Sequence, residues 1–521
     1  MIYISATTYF LLAVTLVALI LILVDHIRSR KTPNKLFDGE EASALLEPPG
    51  PKPWPILGSL HILGRYDVPY KAFADLVRVY DSQVIKLKMG SVPCVVVNGL
   101  ENIKEILIAK GHHFDSRPNF IRYHLLFGNK ENSLAFCNWS DVQKTRREML
   151  RAHTFPRAFT TRYNQLNGII GAEVELLVDH LNSIAGKSLR TKPLIMHTCA
   201  NVFLEYFCSR SFPLGDVSFR EMIENFDKVF YEVNQGYAAD FMPFLMPLHQ
   251  RNMTRMINWT HEVKRFMEKY VIGDRLANWK SIIPEEDYVD CLINHIKTNA
   301  EPKMSWDIAM FALEDIVGGH SAVGNLLVKI LGYLVTRPHV QRAAQMEIDG
   351  VGTPGRFVGL ENRGKMPYTE AIVLEAIRLI ASPIVPHVAN QDSSVAGYKI
   401  EKDTFIFLNN YDLNMSEELW TSPEEFMPER FVQNGKLLKP EHFLPFGGGR
   451  RSCMGYKMVQ YISFSTIATL LKNFNILPVE KENYKVPIGN LALPEKSFNF
   501  HFERRDELSH TKLRDHSRYS R

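Results

Sequence analysis

The chain has 521 residues, of which 45% are apolar and 23% charged, so it can bury a large core and is neither a fibre nor a disordered polymer. A net charge of +4, with the basic residues scattered, argues against nucleic acid as a partner. Six cysteines (Cys94, Cys137, Cys199, Cys208, Cys291 and Cys453) lie far apart with no Cys-x-x-Cys spacing. That argues against a disulfide framework or zinc cluster and for reduced thiols.

From Ile2 to Val24 there is no charged residue. As a helix this run would extend roughly 33 Å at about 1.5 Å per residue, enough to cross a bilayer core. Asp25 ends it, and Arg28, Arg30, Lys31 and Lys35 follow, which places the C-terminal side in the cytosol. A cleaved signal peptide fits poorly, because no basic segment precedes the run and the apolar stretch is long. Residues 1–24 are therefore expected to form a single-pass transmembrane anchor. Residues 25–59 read as a basic linker and a proline-rich hinge, PPGPKPWPILGS, suited to holding a domain at a fixed angle to a membrane. Residues 60–505 would be one catalytic domain and 506–521 a basic C-terminal tail.

Within the domain, residues 84–98 suggest two short strands joined through Gly90 and Ser91. Helical periodicity dominates elsewhere, for example over 102–110, 173–183 and 220–232. The longest predicted helix runs from an N-cap at Ser305 to Arg337, before Pro338. Its centre carries Gly318 and Gly319, each costing about 1 kcal/mol relative to alanine. The compensating reason is either a large group approaching the backbone, a local opening of the helical ladder, or close helix packing. Residues 397–410 suggest a second hairpin, and no internal repeat is present. The fold class expected is mainly α with a minor β portion.

The chemistry concentrates in Phe446-Gly-Gly-Gly-Arg-Arg-Ser-Cys453-Met-Gly455. Glycines flanking one cysteine permit a tight turn and close approach of a flat ligand. Neighbouring arginines and backbone N–H groups would stabilise a thiolate and any acidic group of that ligand. A buried cysteine in a glycine-rich loop is the bland alternative.

The stretch resembles FxxGxRxCxG, the haem-binding signature of the cytochromes P-450. Glu375-Ala-Ile-Arg378 resembles the family's ExxR, Pro428-Glu-Arg430-Phe431 its PERF segment and Phe114-Asp-Ser-Arg117-Pro118 its FxxRP. The resemblance implies the P-450 fold, haem b as cofactor and Cys453 as the iron ligand, pushing electron density that favours O–O cleavage. It implies that Arg451 and His387 pair with the haem propionates and that Phe446 flanks the ring. Glu375, Arg378 and Arg430 would form a buried structural ion network. The family places a tryptophan four residues before a propionate-binding arginine. Here Trp139 precedes Arg146 by seven, which returns to the same face if the helix begins by Trp139.

A larger departure lies at Val317-Gly-Gly-His320-Ser321, where the family has an acid followed by threonine. Ser321 keeps a hydroxyl for proton delivery, and His320 replaces the acid. As catalytic residues they would form an altered relay, and His320 could equally be a satisfied structural residue.

The run Phe446–Gln460, with the missing acid–alcohol pair, looks like the Spook/Spookier group of insect P-450 enzymes of ecdysteroid biosynthesis. That implies a sterol substrate, 7-dehydrocholesterol on the way to the diketol, with electrons from NADPH through a membrane-bound cytochrome P-450 reductase at the endoplasmic reticulum. An aromatic and methionine-rich set, Phe226, Phe230, Tyr231, Tyr237, Phe241, Met242, Phe244 and Met246, is compatible with an apolar access channel. The competing readings are a haem-thiolate isomerase or dehydratase that needs no dioxygen, and a haem or sterol binder without turnover.

Overall fold

The structure, a computed structural model, describes residues 45–66, 68–184, 187–280 and 285–505, together with 9, 13–20 and 22–24. Among the described residues, twelve helices of ten residues or more carry the domain, with two-, three- and four-stranded sheets at its edges. The central helix, Gly319–Val335, is buried on nearly every face. It packs against the helices Lys192–Cys208, Pro367–Ile380 and Tyr456–Asn473, as an apolar-all-round helix must.

That helix corrects one expectation. Ser305 is the N-cap, its Oγ accepting from the Ile308 N–H at 3.3 Å, but the long helix is two. Trp306–Val317 ends at Gly318 and Gly319–Val335 begins beyond it. Two neighbouring helices leave no room for a side chain at either glycine. A Cβ on Gly318 would fall on the Phe226 ring of the helix Val217–Val233. One on Gly319 would lie 2.8 Å from Cε1 of Phe203, on the helix Lys192–Cys208. Gly318→Ala is therefore expected to cost about 1–3 kcal/mol through overpacking. Phe226→Leu in the same chain should recover most of the loss in a thermal unfolding comparison, and no recovery would assign the cost to the backbone instead.

The strands Val84–Met89 and Val92–Val97 form the first predicted hairpin, in the register Val84 to Val97, turning at Gly90 with φ +57°. The second prediction fails. Tyr398–Ile400 pairs back onto Ser393–Val395, whereas Phe405–Leu408 runs parallel to Val92–Val97 and antiparallel to His387–Val388. Alternation along 397–410 is real, but its two halves serve different sheets. This pairing carries His387 to the inner edge of the four-stranded sheet.

The proline-rich stretch is not a free spacer. It lies along the Val84–Met89 strand, with the Lys86 N–H donating to the Pro49 carbonyl at 2.8 Å and Ser59 N–H to the Lys88 carbonyl at 2.5 Å. Residues 13–20 and 22–24 are helical and mostly exposed; the rest of the expected anchor apart from residue 9, the linker up to residue 44 and the tail 506–521 lie outside the described residues. Among the described residues no helix is long and apolar enough to cross a membrane.

Candidate active site

The glycine-rich loop is shaped by close contact with the chain opposite. Gly449 has φ +62°, and the Leu107 carbonyl oxygen occupies the place a Cβ would take, so no other residue fits there. Leu107 belongs to a π-helical turn, Glu105–Ala109. The Cys453 N–H donates to the Phe446 carbonyl at 3.0 Å, closing the loop just before the helix Tyr456–Asn473. Burial pushes the Cys453 thiol up, while the Gly455 and Tyr456 N–H groups at the helix start and the Arg147 guanidinium pull it down. The side chain is open on one side, toward a cavity.

This cavity, of ≈ 390 Å³, has Phe446, Gly447, Gly448 and Cys453 on one wall and Asp315, Gly319 and Ala322 on another. Arg117, Arg147, His387 and Arg451 also border it. Arg117 donates to the carbonyls of Ala135, Val385 and Pro386, Arg147 to that of Ser452 at 2.5 Å, and Arg451 to those of Asp115 and Cys137. Among the described residues none of these three guanidiniums has a carboxylate partner, and the nearby Asp115 carboxylate is engaged by Arg450 at 3.0 Å and by Asn390. His387 lies beside them: its Nδ1–H donates to the Phe114 carbonyl at 2.6 Å, and its buried Nε2, an acceptor in the neutral ring, has no partner. Burial first, then Arg117 and Arg451, hold its pKa well below the ordinary histidine value. Buried Arg117 and Arg451 and half-buried Arg147 together leave a deficit of negative charge that anionic oxygens in the cavity would fill. A flat ring with two carboxylates and a metal facing Cys453 meets that deficit, so the residues fit haem.

The other predicted residues are placed as follows. Trp139 precedes the helix Asp141–Thr154, whose N-cap is Ser140, so the seven-residue spacing does not put Arg146 on its face. Trp139 stacks on Arg450 and Arg451 at 5.0 and 5.6 Å. Arg146 turns away from the cavity, donating to the Asn132 and Glu131 carbonyls and to Cys137 Sγ. Its neighbour Arg147 takes the cavity position. His320 and Ser321 are fully buried and border neither cavity of the site. His320 Nδ1 bonds the Val317 carbonyl at 2.8 Å, Nε2 lies 3.3 Å from Ser321 Oγ, and burial lowers its pKa to about 4. The expected relay is corrected accordingly: the cavity face carries Asp315, Gly319 and Ala322, which share one helical face, instead.

Glu375 and Arg378, three apart on the helix Pro367–Ile380, form a bidentate pair at 2.7 and 2.8 Å with both side chains fully buried. Arg430 Nε adds a bond to Glu375 at 3.2 Å, and Arg378 ties down the Asn414 and Glu425 carbonyls. The network holds the helix against the segment that leads to the cysteine loop.

A second cavity of ≈ 890 Å³ adjoins the first, sharing Ala135, Asp315, Gly319, Ala322, Pro383, Ile384 and Val385 with it. Phe226, Phe230, Tyr237, Phe241 and Met242 line it, as predicted, whereas Tyr231, Phe244 and Met246 do not. The buried pair Arg122–Asp240, at 2.8 Å, joins the helix Ile121–Phe127 to the segment Ala238–Phe241 at this cavity.

Arg147→Leu is expected to lower haem retention severalfold at little cost in fold stability. Arg146→Leu should do the reverse, because its donors satisfy loop carbonyls rather than the cavity. The haem-to-protein ratio after gel filtration, paired with denaturant unfolding, separates the two.

The comparisons agree with this geometry. A cytochrome P-450 family profile matches residues 48–502. The chain is 37% identical over 478 residues to cytochrome P-450 307a1 of Drosophila melanogaster, covering 86% of this chain and 88% of that protein. It is 29% identical over 468 residues to cytochrome P-450 1A1 of Platichthys flesus, covering 86% and 88%. It is 28% identical over 475 residues to the farnesoate epoxidase of Bombyx mori, covering 88% and 94%. With the cysteine loop, the cationic cavity and the buried Glu375–Arg378 pair in place, the chain belongs to the cytochrome P-450 family.

Proposed function

We propose that this cytochrome P-450 monooxygenase oxidises a sterol, and that it does so in early ecdysteroid biosynthesis. The observation that carries the reading is the ≈ 890 Å³ cavity, walled by aromatic and aliphatic side chains and continuous with the cysteine cavity. Its size and apolar wall suit a rigid, mostly apolar molecule of sterol dimensions. The likeness of the Phe446–Gln460 run to the insect ecdysteroid group supports the same substrate class.

Cys453 would ligate the iron, and Arg117, Arg147, Arg451 and His387 would hold the two propionates. Haem, when bound through a thiolate, supplies the activation of dioxygen, with electrons delivered from NADPH by a reductase. The protein's own part is to exclude water, orient the substrate and hold Cys453 beside the Gly455 and Tyr456 N–H groups, which favour its anionic form against burial. Residues 1–24 would anchor the chain to the endoplasmic reticulum membrane with the domain in the cytosol. The exposed apolar residues of 13–20 and 22–24 support that placement.

A second reading is favoured by one observation: Ala322, not a hydroxyl side chain, faces the cavity. A rearrangement or dehydration without dioxygen would not need a proton delivered there.

Titration of the holoenzyme with 7-dehydrocholesterol tests the substrate class through the haem absorption. A saturable spectral change is expected, at least tenfold weaker in Val229→Trp, which fills the second cavity. No change in the unsubstituted protein would remove the sterol assignment.

A further inference from the structure

Asp315 stands apart from every other acidic residue of the domain. Of the carboxylates bordering the two cavities, it is the one that borders both, at the point where they join. It lies one helical turn before Gly319 and two before Ala322, so the three share the face turned toward the cavities. Its Oδ2 is fully used, accepting from Leu134 N–H at 2.5 Å, Ser133 Oγ at 3.1 Å and Ala135 N–H at 3.3 Å. Among the described residues its Oδ1 has no hydrogen-bond partner. The side chain is half-buried, so its exposed part meets the cavity rather than bulk water.

We propose that Asp315 is the specificity-determining residue that anchors a hydroxyl group of an otherwise apolar substrate, Oδ1 accepting its hydrogen bond. The identification of that substrate as a sterol alcohol rests on the function proposed above. The three donors on Oδ2 fix the carboxylate to the 133–135 loop and oppose in part the burial that raises its pKa above the ordinary aspartate value. A fixed carboxylate accepts but does not donate, so it selects an alcohol over a ketone or a hydrocarbon of the same shape. Held at the junction, the hydroxyl determines which carbon of the ligand lies over the cysteine cavity. Wasted oxygen bonding makes the wrong ligand costly, because an unpaired buried carboxylate oxygen then loses its water.

The test exploits what Asp315→Asn changes. The amide oxygen can keep the bonds to the loop, while the cavity face becomes a donor. Equilibrium binding is measured on the holoenzyme by haem absorption, in two ligand series. The first is 4-phenylimidazole against its 2-, 3- and 4-hydroxyphenyl analogues, which report the junction whatever the natural substrate is. The second is a sterol alcohol against its 3-keto and 3-deoxy counterparts. The unsubstituted protein should favour at least one hydroxyphenyl isomer, and the sterol alcohol, by about tenfold. Asp315→Asn should abolish the hydroxyphenyl preference and shift the sterol preference toward the ketone, with unfolding unchanged. An equal loss for every ligand would reduce Asp315 to a loop support and overturn the proposal, as would a hydroxyl preference that survives the substitution. If no sterol binds while the imidazole series behaves as described, the anchor stands and the sterol assignment fails.

Discussion

Cys453→Ala is expected to yield a folded chain that shows no thiolate-type absorption in its carbon monoxide complex and no monooxygenase turnover. The loop itself should survive, because it is held by the Cys453 N–H on the Phe446 carbonyl and by the contact of Gly449 with Leu107, neither of which uses the sulfur. Haem content should fall but not vanish, since Arg117, Arg147, Arg451 and His387 remain. A variant that kept the thiolate spectrum would require a different iron ligand. The other five cysteines lie outside the cavity wall and offer no obvious replacement.

Glu375→Ala should produce the largest loss of stability. Arg378 would be left fully buried with no counter-charge, a situation that costs about 3–5 kcal/mol. Met427 N–H and Arg430 Nε would lose the same acceptor. Arg430→Met should cost less, because the Glu375–Arg378 pair stays intact and Arg430's other bonds are mostly to carbonyls nearer the surface. Denaturant unfolding of the holoenzymes ranks the three proteins. Equal losses for the two variants would mean that the network acts as one unit rather than as a pair with an accessory arginine.

The residues that were legible in the sequence are those bound to a short contiguous pattern. The cysteine loop, the Glu375–Arg378 spacing, the Ser305 cap and the first hairpin each depend on neighbours within about a dozen positions. What was not legible depends on partners far along the chain. Phe226 crowds Gly318 and Phe203 crowds Gly319, both from other helices. Paired glycines signalled a close approach without saying by what. The choice of Arg147 over Arg146 follows from where the helix begins, and the cap at Ser140 was the available signal. Ala322 and Asp315 were missed because the motif was read as a string. Asp315, Gly319 and Ala322 share the helical face turned to the cavity, and His320 and Ser321 turn into the packing. Arg117 was visible as part of Phe-x-x-Arg-Pro, but its meeting with Arg451 and His387 at one cavity is a tertiary fact.

The most direct test of the account is reconstitution in membranes with cytochrome P-450 reductase, NADPH, 7-dehydrocholesterol and isotopically labelled dioxygen, followed by mass spectrometry of the product. A sterol product carrying one labelled oxygen atom, dependent on the reductase and absent with Cys453→Ala, is the predicted result. A product without the label, formed equally when dioxygen or the reductase is left out, would contradict the monooxygenase account and point to rearrangement instead.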